Sequence, residues 1–298
     1  MELRHLVTFR AVAQGLSFTG AASRLGYVQS AVTQHVKALE EELGVPLFDR
    51  LGRRIALTEA GTRLFDYATR IDRLAEEAAD VVRGPGEPEG PVTVIAPETL
   101  CAYRLPPLLH RLYREHPRVR LAFESSPSGA LDAGLVRRLA GGELDLALVL
   151  EETLEPAAPL AAELFTEEPL SLVTAPDHPL ADNPRVTAPD LDGAPMLLTD
   201  KGCRFRGALE RALTGHPCRP DVVGEFASNE TIKRVAAAGG TIGVVASASV
   251  ESELASGTLR ELVWAGSPLA VRSYLVRNSA RWPRPAVEAV LGTFRSVR

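Results

Sequence analysis

Residues 18–43 read FTGAASRLGYVQSAVTQHVKALEEEL, and the spacing of the apolar residues in this stretch predicts two helices. The first helix is short: it follows Ser17, a residue type suited to the N-cap, and ends at a turn that contains Gly26. The second helix covers about residues 29–43, and Gly44 behind it suits the C-cap position. Two helices joined by a glycine-containing turn are typical of a helix-turn-helix.

The two faces of the second helix differ in chemistry. Val32, Val36 and Leu39 are spaced so that they form one buried face. A polar N-terminal face is what a recognition helix needs in order to reach base edges in the major groove. A surface helix of any small bundle would show the same pattern, so spacing leaves both interpretations open. The candidate DNA-reading residues on the opposite face are Gln29, Ser30, Thr33, Gln34 and Lys37.

A short hairpin is predicted directly after this helix. Residues 47–50 and 55–57 flank a bend with the sequence Leu-Gly-Arg-Arg. Arg50, Arg53 and Arg54 at this hairpin could contact phosphates or the minor groove, as the wing of a DNA-binding domain does. The alternative interpretation is an exposed strand edge that charge protects from aggregation.

Length and composition indicate a globular protein of about two domains, at roughly 100–200 residues each. Of the 298 residues, 45% are hydrophobic and 24% are charged, which excludes disorder as the main state. No apolar run is long enough to cross a membrane, and the N-terminus has none of the features of a signal peptide. The three cysteines include no CxxC pair, so we expect no disulfide framework, a cytoplasmic location and no membrane partner.

Charge is unevenly distributed along the chain. Residues 1–58 contain seven Lys and Arg against five Asp and Glu, whereas the whole chain has a net charge of −5. A basic N-terminal part on an acidic body suggests that only the N-terminal part meets a polyanion.

Residues 18–61 closely resemble the LysR-type transcriptional regulators. The resemblance rests on the runs FTGAASRL, VQSAVTQ, KALEEELGVPLFDR and LTEAG within this range. The family often has Pro where Ser30 stands and Arg where Gln34 stands. Because Gln and Arg prefer different base edges, the operator of better-known relatives does not carry over to this chain.

The resemblance implies a fold class and a domain organisation. We expect a winged helix-turn-helix, mainly α-helical, head at residues 1–58 and an α/β two-lobed effector domain, similar to periplasmic binding proteins, at residues 92–298. Between them we predict a linker helix at residues 59–83 and a hinge at residues 84–91, where three Gly and three Pro exclude a sustained helix or strand. In the effector domain, lobe I would comprise about residues 92–165 and 268–298, and lobe II about residues 166–267.

The linker helix carries a heptad pattern of small and aliphatic residues. Such a seam suits close pairing with the same helix of a second subunit, and the family uses the corresponding helix in this way. The alternative is that the helix packs onto its own domain. The predicted dimerisation residues are Leu64, Ala68, Ile71, Ala75, Ala78 and Val82.

The C-terminal part alternates short β-rich runs with helical stretches, which predicts an α/β domain with a largely parallel sheet. One helix is expected over about residues 100–115, and lobe crossings near residues 164–168 and 265–269. Polar residues at four strand-to-helix turns outline an effector cleft, although each could also be an ordinary helix cap. The candidate effector-binding residues are Thr99, Leu100, Ser128, Thr199, Cys203, Ser228 and Asn229.

Hydroxyl and amide groups at such turns suit a small carboxylate. Glu98 does not fit an anion site and points instead to a ligand with an amino group. Cys203 at a helix N-terminus could be reactive, and Cys218 is the candidate partner for a thiol-based redox sensor. A thiol that only lines the pocket is the alternative interpretation of Cys203.

The sequence contains none of the common catalytic motifs, such as a nucleophile elbow, a P-loop or a dinucleotide-binding fingerprint. The six histidines do not cluster at metal-ligand spacing, so we predict no enzyme, no metal and no cofactor. The resulting prediction is a regulator that binds double-stranded operator DNA, a small-molecule effector and itself, as a homodimer or homotetramer. RNA polymerase would be a further partner of an activator. The rival function is a small-molecule binding protein without a role on DNA.

Overall fold

The computed structural model describes residues 1–51, 54–84, 86–126, 129–282 and 284–296. These residues form two compact units. One consists of Met1–Gly86 with Ala140–Glu143, and the other consists of Glu87–Leu139 with Leu144–Arg298.

The first unit contains four helices and a hairpin, which we name α1 (Leu3–Gly15), α2 (Phe18–Leu25), α3 (Gln29–Leu43), β1 (Phe48–Leu51), β2 (Arg54–Leu57) and α4 (Glu59–Arg83). Its core forms where α1, α2, α3 and the first half of α4 bury apolar side chains together. Phe9, Val32, Leu39 and Ala68 are each fully buried there. Burial of a Phe, Val or Leu side chain contributes about 1.5–3 kcal/mol relative to exposure, so the packing holds α3 in a fixed orientation.

The second unit alternates strands and helices. Its lobe I contains β3 (Gly90–Ala96), α5 (Glu98–Tyr103), α6 (Pro106–Glu115), β4 (Val119–Ser125), α7 (Ala133–Gly141), β5 (Leu146–Glu151), β11 (Ala270–Asn278) and α11 (Pro285–Arg295). Its lobe II contains β7 (Pro195–Thr199), α8 (Arg204–Ala212), β8 (Asp221–Phe226), α9 (Asn229–Ala237), β9 (Ile242–Ala246), α10 (Glu251–Ser256) and β10 (Arg260–Leu262).

Strand β6 (Leu160–Thr174) belongs to both lobes. Its first part pairs with β11 in lobe I, and its last part pairs with β9 and β10 in lobe II. Along the sheet the order is β4-β3-β5-β11-β6-β9-β7-β8. The chain therefore passes from one lobe to the other inside one continuous strand.

The sheet is mixed, which corrects the prediction of a largely parallel one. The parallel pairs are β3 with β4 and β5 in lobe I, and β7 with β8 and β9 in lobe II. All pairs that involve β6 or β11 are antiparallel, because these are the strands by which the chain crosses between the lobes. Local strand patterns carry no information on this pairing direction.

The single helix predicted over about residues 100–115 is two helices, α5 and α6. The break occurs at Arg104-Leu105, directly before Pro106 and Pro107. Proline is accepted in the first turn of a helix but not inside one, so the pair starts α6 and cannot lie within a longer helix.

Candidate functional sites

The exposed face of α3 presents the predicted reading residues. Ser17 Oγ accepts a hydrogen bond from the Gly20 amide (3.0 Å) and so caps α2. Gly26 ends α2 at φ 68°, and α3 starts three residues later. Gln29, Ser30, Gln34 and Lys37 are exposed and Thr33 is half-buried, while the opposite side of the helix packs into the core.

Three of these side chains make polar contacts on the surface of α3 itself. The Gln29 amide donates to Thr33 Oγ1 (3.0 Å), and that hydroxyl donates to the Gln29 carbonyl (3.1 Å). Lys37 lies 3.4 Å from Glu41 on the helix surface. Among the described residues, Gln34 makes no hydrogen bond, so its amide is available for a base edge.

His35 locks α3 against α1. Its ring lies 5.0 Å from that of His5 and 5.5 Å from that of Tyr27. Its Nδ1 is 3.0 Å from Thr8 Oγ1, and because that hydroxyl gives its one proton to the Arg4 carbonyl, the ring nitrogen is the donor. Partial burial, and then the nearby charges of His5 and Arg4, lower the pKa of His35.

The hairpin is attached to α3 by Glu40, a residue that the sequence analysis did not single out. Its Oε1 accepts hydrogen bonds from the amides of Leu47 (2.7 Å) and Phe48 (3.3 Å). Arg50 is in β1 and Arg54 in β2, which pair antiparallel, and Arg53 lies outside the described residues. The attachment places β1 at a fixed position relative to the reading face.

Gly61 allows α4 to pass directly over this hairpin. A Cβ added at Gly61 would clash with the backbone oxygen of Leu47, so only glycine fits there. The glycine belongs to the LTEAG run, so this signal was present in the sequence, although its structural reason was not.

The predicted dimerisation seam divides into two halves. Leu64, Ala68 and Ile71 pack into the core of the first unit, with Ala68 fully buried. Ala68 is therefore not free to contact a second subunit, whereas Leu64 and Ile71 are half-buried and their role in a subunit contact stays a prediction. A helix that packs on its own domain has the same periodicity as a coiled coil, so the pattern alone could not separate the two. In the second half, Ala75 is half-buried, Ala78 is exposed and Val82 is 87% exposed.

A cavity of about 520 Å³ lies between the two lobes of the second unit. It is bounded by the ends of β3, β4, β7 and β8 and by the turns that follow them. Four of the predicted residues line it, namely Thr99, Thr199, Cys203 and Asn229. Its other described lining residues are Pro97, Glu98, Ser125, Ser126, Gly129, Leu150, Asp200, Lys201, Phe205 and Ala227.

Two of the predicted effector residues are not among the described lining residues, and a third lies outside the part of the chain that the structure describes. Leu100 is fully buried in the core, because it lies on the face of α5 opposite the turn, and its assignment to the site was wrong. Ser228 is the N-cap of α9 and lies between the lining residues Ala227 and Asn229, and its contact with an effector stays a prediction. Ser128 lies outside the described residues.

Asn229 connects the two lobes across the cavity. Its amide nitrogen donates to Thr99 Oγ1 (3.0 Å), which joins α9 of lobe II to α5 of lobe I. The residue is 3% exposed, and its Oδ1 has no hydrogen-bond partner among the described residues. Thr199 is 6% exposed, and its Oγ1 is likewise unpartnered. Buried polar atoms of this kind are normally satisfied, so two residues of the lining each have an unmet hydrogen-bonding atom.

Further polar contacts join the lobes around the cavity. Arg204 of α8 lies 2.8 Å from Glu151 of β5, and Arg211 is paired with Glu152. At the lobe crossing, buried Glu168 accepts from Arg104 (3.0 Å), and burial outweighs this pairing and raises the pKa of Glu168.

The three cysteines are free thiols. Burial raises the pKa of Cys101, helped by the charge of Glu98, and burial followed by the charge of Asp192 raises that of Cys218. A raised thiol pKa reduces the reactive thiolate fraction of both residues.

The described residues contain no helix with the length and apolar character that a bilayer span requires. Within the same residues, no three His, Cys, Asp or Glu side chains gather as a possible metal-binding group.

Comparison with known proteins gives consistent findings over the whole chain. Residues 3–62 match the family profile described as bacterial regulatory helix-turn-helix protein, lysR family, and residues 85–298 match the LysR substrate binding domain. The uncharacterized HTH-type regulator YwqM of Bacillus subtilis is 36% identical over 296 residues, which is 99% of each chain. The regulator CbbR of Rhodospirillum rubrum is 31% identical over 298 residues, covering 99% of this chain and 96% of CbbR.

Two solved structures show the same fold. A full-length, singly substituted OxyR from Pseudomonas aeruginosa superimposes with a TM-score of 0.78 at 25% identity, covering 99% of this chain and 95% of that one. Full-length CbnR, complexed with its target DNA, superimposes with a TM-score of 0.68 at 20% identity, and the alignment covers 100% of both chains.

Proposed function

Because the chain belongs to the LysR family of transcriptional regulators, we propose that it binds operator DNA through α3 and the hairpin, under the control of a small molecule. In this proposal Gln29, Ser30, Thr33 and Gln34 read base edges, and Lys37 contacts phosphates. The effector binds in the cavity between the lobes, and its preference for one lobe separation changes how strongly the protein holds DNA.

The observation that carries the DNA-binding proposal is the exposed polar face of α3. Gln29, Gln34 and Lys37 point outward on a helix whose other face is buried, so the helix can enter a major groove without unfolding the head. The amide of Gln34 is free to bond to adenine N6 and N7 in the bidentate way that distinguishes this base.

We further propose that the protein works as a homodimer, with tetramers formed from dimers. The exposed half of α4, with Val82 and the 63% exposed Leu74, supports a contact with a second copy. Two copies present two reading helices, which suits an operator with two-fold symmetry. RNA polymerase is an additional partner if the protein activates transcription.

A gel-shift titration with the DNA upstream of the protein's own gene tests this function. We expect retardation that is specific against scrambled DNA and that weakens steeply with salt, because phosphate contacts release counterions. Equal binding to both DNAs, or none, would contradict the proposal and favour the rival function, a small-molecule binding protein without a role on DNA.

A further inference from the structure

The charges and the unpartnered polar atoms of the cavity between the lobes limit what its ligand can be. Glu98 and Asp200 bring two carboxylates to the lining, and Lys201 brings one ammonium group. Neither carboxylate makes an ion pair within the described residues. Lys201 also lies close enough to Glu225 to help lower the pKa of that carboxyl, so part of its charge is already balanced. The lining is therefore net negative, and it disfavours a ligand that carries only carboxylates.

The unpartnered atoms indicate what the ligand must supply. The amide nitrogen of Asn229 is used by Thr99, so the atom left for the ligand is Oδ1, which can only accept a hydrogen bond. Asn229 follows Ser228 at the start of α9, and Glu98 precedes Thr99 at the start of α5. The hydrogen bond between Asn229 and Thr99 thus brings Asn229 Oδ1, on lobe II, next to the segment of lobe I that carries the Glu98 carboxylate. An ammonium group, with three donors and a positive charge, matches both.

A second part of the cavity suits an anion. Helices α8 and α9 both start at the cavity, and neither N-cap side chain, Cys203 or Ser228, caps its helix. The first amides of these helices thus remain available to a carboxylate, as does the ammonium group of Lys201. The Oγ1 of Thr199 can donate to the same carboxylate.

The remaining surface of the cavity is apolar. Pro97, Leu150 and Phe205 line it, and the volume of about 520 Å³ is in the range of small-ligand pockets, which spans roughly 300–1,000 Å³. It has room for an aliphatic or aromatic side chain besides the two charged groups.

We propose that the effector is an amino acid, or a closely similar amino-carboxylate. Its ammonium group bonds to Asn229 Oδ1 and faces Glu98, and its carboxylate bonds to the helix starts near Lys201 and Thr199. The inference rests on the proposed function in that it assigns the effector of that same cavity. Since the ammonium group contacts both lobes, such a ligand stabilises the arrangement in which the lobes are close together.

Thermal shift and calorimetry on the purified full-length protein test the proposal. The probes are the standard L-amino acids and, for the one that binds most tightly, its deaminated acid and its decarboxylated amine. We expect at least one amino acid to raise the melting temperature in a concentration-dependent way. We expect the acid and the amine each to bind at least about tenfold more weakly, because each lacks one charged hydrogen-bonding group.

Single substitutions distinguish the role of each polar group from a nonspecific loss of ligand binding. Asn229→Leu and Glu98→Gln should each weaken binding of the amino acid about tenfold or more, and each should change the affinity for the deaminated acid little. Asn229→Asp, which keeps a hydrogen-bond acceptor at this position, should retain the affinity for the amino acid. The control is Glu115→Gln, which removes one surface carboxylate from the end of α6, outside the described lining, and should change neither affinity.

Two outcomes would overturn the inference. One is a carboxylic acid without an amino group that binds as tightly as any amino acid, and the other is an amino acid panel in which nothing binds. Neither outcome affects the gel shift on operator DNA, so failure of this inference is distinguishable from failure of the proposed function.

Discussion

Replacing Glu40 with alanine should detach the hairpin from α3. The Glu40 carboxylate accepts from the amides of Leu47 at 2.7 Å and Phe48 at 3.3 Å, and the side chains of Leu47 and Phe48 are both buried. A hydrogen bond to a charged group contributes about 1.5–3 kcal/mol, and the longer bond less. We therefore expect Glu40→Ala to lower the free energy of unfolding of the head by about 2–3 kcal/mol.

This loss should be visible in both heat stability and local opening. For a domain of this size, one kcal/mol shifts the melting temperature by roughly 4–8 °C, so the unfolding transition of the head should fall by about 10–20 °C. Hydrogen exchange should accelerate at the amides of Leu47 and Phe48. Glu40→Gln should lie between the wild type and the alanine variant, because its side-chain oxygen still accepts but carries no charge.

The neighbouring Glu41 offers a matched control. Its carboxylate is mostly exposed and lies 3.4 Å from Lys37, a surface pair of the kind that contributes about 0.3–0.5 kcal/mol. Glu41→Ala should therefore change the melting temperature by only a few degrees. If both alanine variants lower it equally, or if exchange at Leu47 and Phe48 stays slow in Glu40→Ala, Glu40 does not hold the hairpin.

Three other predictions concern DNA reading, assembly and pH. Gln34→Ala should reduce the preference for one base pair per half-site by about 1–3 kcal/mol, whereas Lys37→Ala should weaken binding to DNA of any sequence and lower the salt slope by about one unit. Titrations on operator and scrambled DNA at several salt concentrations would show the reverse if the roles are exchanged. Val82→Asp should weaken dimers in sedimentation experiments without lowering the stability of the first unit. Ala68→Asp should unfold the first unit, because Ala68 is buried in its core. An unchanged oligomer in Val82→Asp would remove the outer half of α4 from the subunit contact. Lys233 is buried and donates to Glu253 (2.6 Å) and to the Ser249 carbonyl (2.7 Å), while Glu253 and Glu230 are partly exposed, so Lys233→Met should cost about 1.5–3 kcal/mol. Burial opposes the charge of Lys233, but its hydrogen bonds to Glu253 and Glu230 outweigh burial and raise its pKa, while the pKa values of both carboxyls are lowered. The stability difference between the wild type and Lys233→Met should therefore be fully present from about pH 5 to 9, shrink as acid protonates the carboxyls and shrink again above about pH 10. A stability difference that does not change with pH would refute the ion pair.

The helix-turn-helix was readable from the sequence because its signals are local. Caps, a glycine turn and apolar residues three or four apart act within one helix, and they predicted α2, α3 and the outward-facing Gln29 and Gln34. The family resemblance supplied the two-lobed architecture of the second unit. The break before Pro106 could also have been predicted from the two consecutive prolines.

Tertiary structure decided the features that depend on residues far apart in the chain. Asn229 and Thr99 are separated by 130 positions, and only the pairing of strands brings them into one cavity. A heptad pattern could not show that Ala68 packs into the core of the first unit while Val82 is exposed, since packing on the same domain and packing on a second subunit require the same spacing. Likewise Leu100 and Thr99 are neighbours at one turn, but helix geometry directs one side chain into the core and the other into the cavity. Local patterns specify which face of an element is apolar, and the packing of the whole chain determines what that face meets.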